Sequence, residues 1–208
     1  AVPGDDAITC PGCRTFGGNG NVRPGGDHTL TVALAGNPNT GKSTLFNALT
    51  GLRQHVGNWT GKTVTRAEGY WRRNGRRFRV VDLPGTYSLD VTSEDVSLDE
   101  KIARDFVHAG EADLIVNIVD ASNLERNLYL TAQLLEMRRP LLVALNMTDM
   151  AEAAGMRVDA ARLADLLGCP VVPVVASERR GIDALKAALV EAARAPAPPR
   201  TASSPAPA

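Results

Sequence analysis

Cysteine is scarce in this chain of 208 residues, occurring only at Cys10, Cys13 and Cys169. One thiol is left over from any pairing, so the cysteines build no disulfide framework and suit a reducing cytosol. No apolar run reaches the 18 or more residues of a membrane span, and the first residues lack the charged region and apolar stretch of a signal peptide. If the protein serves a membrane, the spanning part is expected outside these residues. An excess of charge is missing too, since Lys+Arg and Asp+Glu each total 23. Without a basic surplus, neither nucleic acid nor another polyanion is expected as a partner.

What is present is enough apolar residue, 44%, to fill one ordinary core. Residues 1–28 are rich in Gly, Pro, Asp and Asn without periodicity, and 195–208 form a Pro/Ala/Ser stretch. Both are expected to be tails or linkers around one folded unit over 29–194. Within it, β-rich runs at 30–36, 78–85, 113–120, 140–146 and 170–176 alternate with helical patterns. Unbroken Val/Leu/Ile strands alternating with helices predict a three-layer α/β fold, a mostly parallel sheet with helices on both faces. The Arg-dense stretch 71–79 surrounds Asn74-Gly75, the strongest short hairpin signal, and reads as a solvated hairpin tip rather than a nucleic-acid patch.

Three motifs fall on the strand ends of this scheme. Gly36, Asn37, Pro38, Asn39, Thr40, Gly41, Lys42 and Ser43 satisfy the Walker A pattern between a strand and a helix, with Thr44 following. There, backbone N–H groups cradle phosphates, Lys42 neutralises β/γ charge and the Ser43 hydroxyl ligates Mg²⁺. Asp82-Leu83-Pro84-Gly85 closes the next apolar strand, placing a carboxylate for Mg²⁺ and a Gly85 N–H for a γ-phosphate on the ligand-binding edge. Asn146-Met147-Thr148-Asp149 closes a later strand. A carboxylate at Asp149 accepts from guanine N1–H and the 2-amino group, donors that adenine lacks, so guanine is the expected base. By position alone, Ala176, Ser177 and Glu178 close over the base, with Gly181 ending the loop. These motifs predict the P-loop GTPase (Ras-like) version of the fold, binding GTP and GDP.

Several stretches narrow the family. His55 to Val64 (HVGNWTGKTV) resembles the switch I segment of the FeoB family, and Asp82 to Leu89 (DLPGTYSL) resembles its switch II. The runs 121–136 and 144–152 resemble the second half of its G domain, so the likeness extends over about 30 to 193. The resemblance implies a G domain on the cytoplasmic face of the bacterial inner membrane, regulating ferrous iron uptake through a membrane permease portion. That family usually places a helical domain before the membrane part, whereas this chain runs into the Pro/Ala stretch.

Residue roles follow from the same resemblance. Thr63 coordinates Mg²⁺ when GTP is bound, with Thr60 as a competitor, and Asn58, Trp59, Gly61 and Lys62 belong to a loop folding over the nucleotide. Trp59 reads equally as a packing aromatic. Asn39 is implied as the ligand of a K⁺ ion that replaces an arginine finger, although Asn is also a turn residue tolerant of unusual backbone angles. Catalysis then rests on Asn39, Lys42, Thr63 and Gly85. Ras-like enzymes place a water-orienting Gln directly after D-x-x-G; here it is Thr86, so intrinsic hydrolysis is expected to be slow.

Other residues carry less. Cys10 and Cys13 form one C-x-x-C without a second pair, either incidental thiols or a transient metal or redox contact. Cys169 reads as a small buried residue, and His28, His55 and His108 suggest no catalysis. Two further functions compete: a ribosome-assembly or RNA-modification GTPase, which usually carries a Pro-Gly-Thr-Thr switch I and a basic appendage, and a nucleotide switch without significant hydrolysis.

Overall fold

In the computed structural model the described residues are 29–51, 54–59, 64–89 and 97–193. The expectations placed on Cys10, Cys13, His28, Thr60, Gly61, Lys62 and Thr63 lie outside them.

An apolar run buried on both sides makes the centre of the sheet. Strand β1 (Thr29–Gly36) has Val32, Ala33 and Leu34 at the core and is flanked by two parallel neighbours. One is β4 (Arg76–Asp82), and the other is β5 (Leu114–Asp120). β6 (Leu141–Asn146) and β7 (Val171–Pro173) extend the parallel part beyond β5. On the far side of β4, β3 (Thr65–Arg73) and β2 (Gln54–Asn58) add antiparallel, giving the order β2-β3-β4-β1-β5-β6-β7. β2 was not expected, because its polar sequence QHVGN carries no apolar alternation. It forms as an edge strand whose ladder bonds all go to β3.

The strand expected over 78–85 ends at Asp82; Leu83 N still donates to the Leu34 carbonyl at 3.1 Å, and Pro84 then has no N–H to continue the ladder. The strand expected over 170–176 is likewise cut to Val171–Pro173.

Two apolar layers sit on opposite faces. Helices α1 (Lys42–Thr50) and α6 (Ile182–Ala192) cover a cluster built on Leu34, Phe46, Phe78, Val116 and Leu185. Helices α2 (Leu98–Ala109), α3 (Leu124–Glu136) and α5 (Ala160–Leu167) cover the other, with Val81, Phe106, Ile115, Leu130 and Leu163. The short α4 (Thr148–Ala153) follows β6 and contributes Ala151 to the same layer. Start signals in the sequence are used as chemistry: Ser97 and Glu100 form a reciprocal capping box at α2, and Asp159 accepts from Arg162 N at α5. Cys169 is buried in the second layer.

The Arg-dense hairpin forms as expected, with Arg73 opposite Arg76 and positive φ at both Asn74 and Gly75. Its arginines are engaged rather than merely solvated. Arg76 donates to the Ala193 carbonyl at 2.6 Å, at the end of α6, while Arg79 pairs with Glu68 and Arg77 lies over the Tyr70 ring. Among the described residues no helix is long and apolar enough to cross a membrane.

Candidate functional site

The Walker A, Asp82-to-Gly85 and Asn146-to-Asp149 motifs emerge at the carboxyl ends of the parallel strands, the edge on which open α/β sheets bind ligands. The loop from Asn37 to Gly41 links β1 to α1. It is shaped by left-handed backbone at Asn39 (φ 65°) and Gly41 (φ 84°), and by a hydrogen bond from Thr40 Oγ1 to the Asn37 carbonyl at 2.9 Å. A side chain at Gly41 would collide with the Asn146 amide, so the residue is required both for its φ and for the close approach. α1 begins at Lys42, leaving its first-turn N–H groups facing the loop, a geometry suited to an anion. Ser43 and Thr44 are exposed at that end, and Asn39 stands exposed at the crown of the loop.

Lys42 and Asp82 meet here. Lys42 Nζ lies 3.3 Å from Asp82 Oδ1, and both side chains are largely withdrawn from solvent. Burial pushes the Asp82 carboxyl above the usual range, only partly offset by the Lys42 charge and by Ser43. Asp82 Oδ1 is buried with no hydrogen bond of good geometry despite the nearby ammonium. A buried carboxylate oxygen of this kind, next to an exposed Ser43 hydroxyl, fits a divalent cation, which is hard and takes oxygen ligands. Lys42, Ser43, Thr65, Asp82, Pro84 and Asp99 line a cleft of about 440 Å³ along this side of α1.

Gly85 approaches the loop from β4, and a Cβ there would stand 3.3 Å from Pro38 Cα and N. Thr86 N donates to the Gly36 carbonyl at 3.2 Å. The Thr86 side chain is buried and its hydroxyl donates to the Ser88 carbonyl.

The base-side motif is joined to the phosphate-side loop by one amide. Asn146 Nδ2 donates to the Thr40 carbonyl at 2.9 Å, while Asn146 Oδ1 accepts from Ala176 N at 3.0 Å. That single side chain ties the loop after β1, the end of β6 and the turn after β7 together. Met147 adopts φ 60° as the residue before α4, and Asp149 sits half-buried in the first turn. Among the described residues no hydrogen bond or ion pair engages the Asp149 carboxylate. Ala176 is buried, whereas Ser177 and Glu178 are exposed in a 3₁₀ turn, Glu178 pairing with Arg180 at 3.1 Å.

The switch I residues divide. Asn58 is exposed at the end of β2, opposite Thr65. The Trp59 ring is packed in the core rather than in the cleft. It meets Phe106 edge-on at 5.4 Å between centroids, and the Arg66 guanidinium lies 4.5 Å above it. Of the two readings of Trp59, packing describes the ring.

Sequence reasoning missed the back wall of the site. Asn37 is buried and its Nδ2 reaches the Arg126 carbonyl of α3 at 3.3 Å. Arg126 lies over the Tyr87 ring at 4.2 Å, and Gln133 reaches Ser88 and Leu89. Arg126 and Gln133 carry no role in the motifs, and their seven-residue separation places them on one face of α3.

Comparison with known proteins agrees with this geometry. Residues 30–189 match the FeoB_N family, ferrous iron transport protein B. The Fe(2+) transporter FeoB of Salmonella typhimurium (strain LT2) is 58% identical over 160 residues, covering 77% of this chain and 21% of that protein. That of Escherichia coli (strain K12) is 57% identical over the same length. The chain thus spans about a fifth of the length of these curated relatives. Among solved structures, the cytosolic domain of L. pneumophila FeoB superposes with a TM-score of 0.76 at 48% identity, covering 78% of this chain and 69% of that one. The G domain of T. maritima FeoB gives 0.74 at 43% identity, covering 80% and 100%. The T. maritima cytosolic domain in a GDP form gives 0.77 at 43% identity, covering 83% and 66%. With the mixed sheet, the phosphate loop and the base-side Asn146 all in place, the chain has the P-loop GTPase fold and belongs to the ferrous iron transport protein B family, of which it carries the G domain.

Proposed function

We propose that this G domain binds GTP and GDP, hydrolyses GTP slowly with Mg²⁺ and K⁺, and thereby regulates ferrous iron uptake by a permease portion at the bacterial inner membrane. The observation that carries the reading is the Asn146 bridge from the Thr40 carbonyl to Ala176 N, which couples a guanine-reading segment to a phosphate-holding loop. Membership of the family stands against the ribosome-assembly and RNA-modification alternative.

In this reading the N–H groups of the loop and of the first turn of α1 take the phosphates, with Lys42 opposite the β/γ oxygens. Asp149 takes the guanine N1–H and 2-amino group, and Ala176, Ser177 and Glu178 border the base. Mg²⁺ is held by Ser43 and Asp82, with Thr63 added by resemblance, and when bound it neutralises charge on the phosphate oxygens. Asn39 holds K⁺ through its amide oxygen, as the resemblance implies. The exposed side chain and left-handed backbone of Asn39 are compatible with both cation binding and a turn role.

Slow turnover follows from Thr86. With Thr86 in place of the Gln of Ras-like enzymes, and its buried hydroxyl bonded to the Ser88 carbonyl, the attacking water lacks orientation by that side chain, so rate must come from positioning and electrostatics. Steady-state hydrolysis with Mg²⁺, in KCl and in NaCl at equal ionic strength, tests the proposal. Stimulation by K⁺ that disappears in Asn39→Ala, with GDP affinity kept, supports it. Equal slow rates in both salts remove the K⁺ mechanism, and absence of hydrolysis leaves a bare nucleotide switch.

A further inference from the structure

Helix α3 makes one contact that none of the sequence motifs explains. Gln133 Oε1 accepts from Leu89 N at 2.8 Å, and Gln133 Nε2 donates to Ser88 Oγ at 3.1 Å. One amide therefore reads a backbone N–H and a hydroxyl on adjacent residues, 44 and 45 positions away. Ser88 is tied back to the turn before it, since Ser88 N donates to Thr86 Oγ1 at 3.2 Å. Thr86 N is in turn held by the Gly36 carbonyl, and Gly85 rests against Pro38. The segment after β4 is thus fixed at its start by the phosphate loop and at its end by Gln133, with Leu89 buried beneath.

We infer that Gln133 is a positioning residue for the γ-phosphate response: it anchors the far end of 85–89 so that the Gly85 N–H is held beside the phosphate loop. The inference rests on the GTP reading above. The physical argument is entropic. A Gly-Thr-Tyr-Ser turn anchored at one end samples many conformations, and aligning one N–H with a new phosphate oxygen costs ordering of each free residue. Anchoring the second end removes that cost before the ligand arrives. A ligand ending at the β-phosphate makes no use of Gly85, so the effect is selective for the triphosphate. Arg126 adds to the same wall, stacking on Tyr87 while its carbonyl holds Asn37.

The test compares Gln133→Met, which keeps the packing and loses both hydrogen bonds, with Gln133→Glu, which keeps an acceptor for Leu89 N–H and one for the Ser88 hydroxyl proton. Fluorescent GDP and a non-hydrolysable GTP analogue are titrated against each protein, and kcat for GTP is measured. The expected result for Gln133→Met is about tenfold weaker analogue binding and about tenfold lower kcat, with GDP affinity within about twofold of the parent. Gln133→Glu should recover most of both losses. Equal weakening of GDP and analogue would assign Gln133 a purely structural role, and unchanged binding and kcat would remove it from the response; either overturns the inference. If the parent protein does not hydrolyse GTP, the hydrolysis reading fails separately, and the GDP-to-analogue ratio still decides the role of Gln133.

Discussion

Lys42 Nζ stands 3.3 Å from Asp82 Oδ1, so the lysine of the phosphate loop and the acid at the end of β4 share one partly buried site. Burial dominates at Asp82 and raises its pKa, only partly offset by the Lys42 charge, so a further cation beside the carboxylate would favour its charged form. Asp82→Asn should therefore lower Mg²⁺-dependent hydrolysis about a hundredfold, while GDP binding survives. Because a neutral amide escapes the desolvation cost, the melting temperature without nucleotide should not fall. Undiminished hydrolysis, read against Mg²⁺ concentration, would take Asp82 out of the metal site.

Asp149 presents a half-buried carboxylate at the start of α4 that no described residue engages. Asp149→Asn exchanges one acceptor for a donor, so GTP affinity should drop by about two orders of magnitude and xanthosine triphosphate should bind in its place. Isothermal titration with both nucleotides checks this. Retained guanine preference would mean that another group reads the base.

Phe78 is fully buried and stacks on Trp71 with centroids 4.2 Å apart and planes 6° from parallel. Lys186 of α6 lies 5.7 Å from the Trp71 ring, so this stack lies between the hairpin and α6. Phe78→Ala should cost about 3–5 kcal/mol of stability, measured by urea unfolding, through lost burial and the cavity left behind. A loss below about 1 kcal/mol would show that the layer collapses to fill the space.

Glu68 accepts from Arg79 Nη2 at 2.7 Å and lies 2.6 Å from Arg66 Nε. The Arg79 hydrogen bond, more than offsetting burial, holds the carboxyl below the ordinary glutamate range, and Arg79 is shifted upward in step. An acid with a depressed folded pKa stabilises the protein above its unfolded pKa, and that contribution disappears as pH falls through the folded value. Melting temperature should thus decline between about pH 5 and pH 3 more steeply in the parent than in Glu68→Gln. Parallel curves would mean that the pair contributes no net linkage.

Much of this was readable along the chain because it is local. The Walker A loop, Asp82-to-Gly85 and Asn146-to-Asp149 are contiguous segments whose residue types are forced by backbone geometry or by ligand chemistry. The Asn74-Gly75 turn is likewise short-range, needing two left-handed residues side by side. Strand β2 escaped notice because QHVGN has no burial pattern of its own and is ordered by the ladder it borrows from β3. Trp59 stayed ambiguous for a related reason, since an aromatic in a polar segment can fold over a ligand or into a core, and here its ring packs against Phe106 and beneath the Arg66 guanidinium.

The amino-acid order alone determined the alternation of strands and helices, the Walker A, D-x-x-G and N-x-x-D segments at the strand ends, and a Thr rather than a Gln after Gly85. Packing decided what lies between those motifs. The Asn146 bridge, the burial that raises the Asp82 pKa, the arginines of the hairpin braced on α6 and the Gln133 contact all join residues from different strands and helices. Their partners are dozens of positions apart, so they exist only after the sheet has set the register, and no pattern within a single element could encode them.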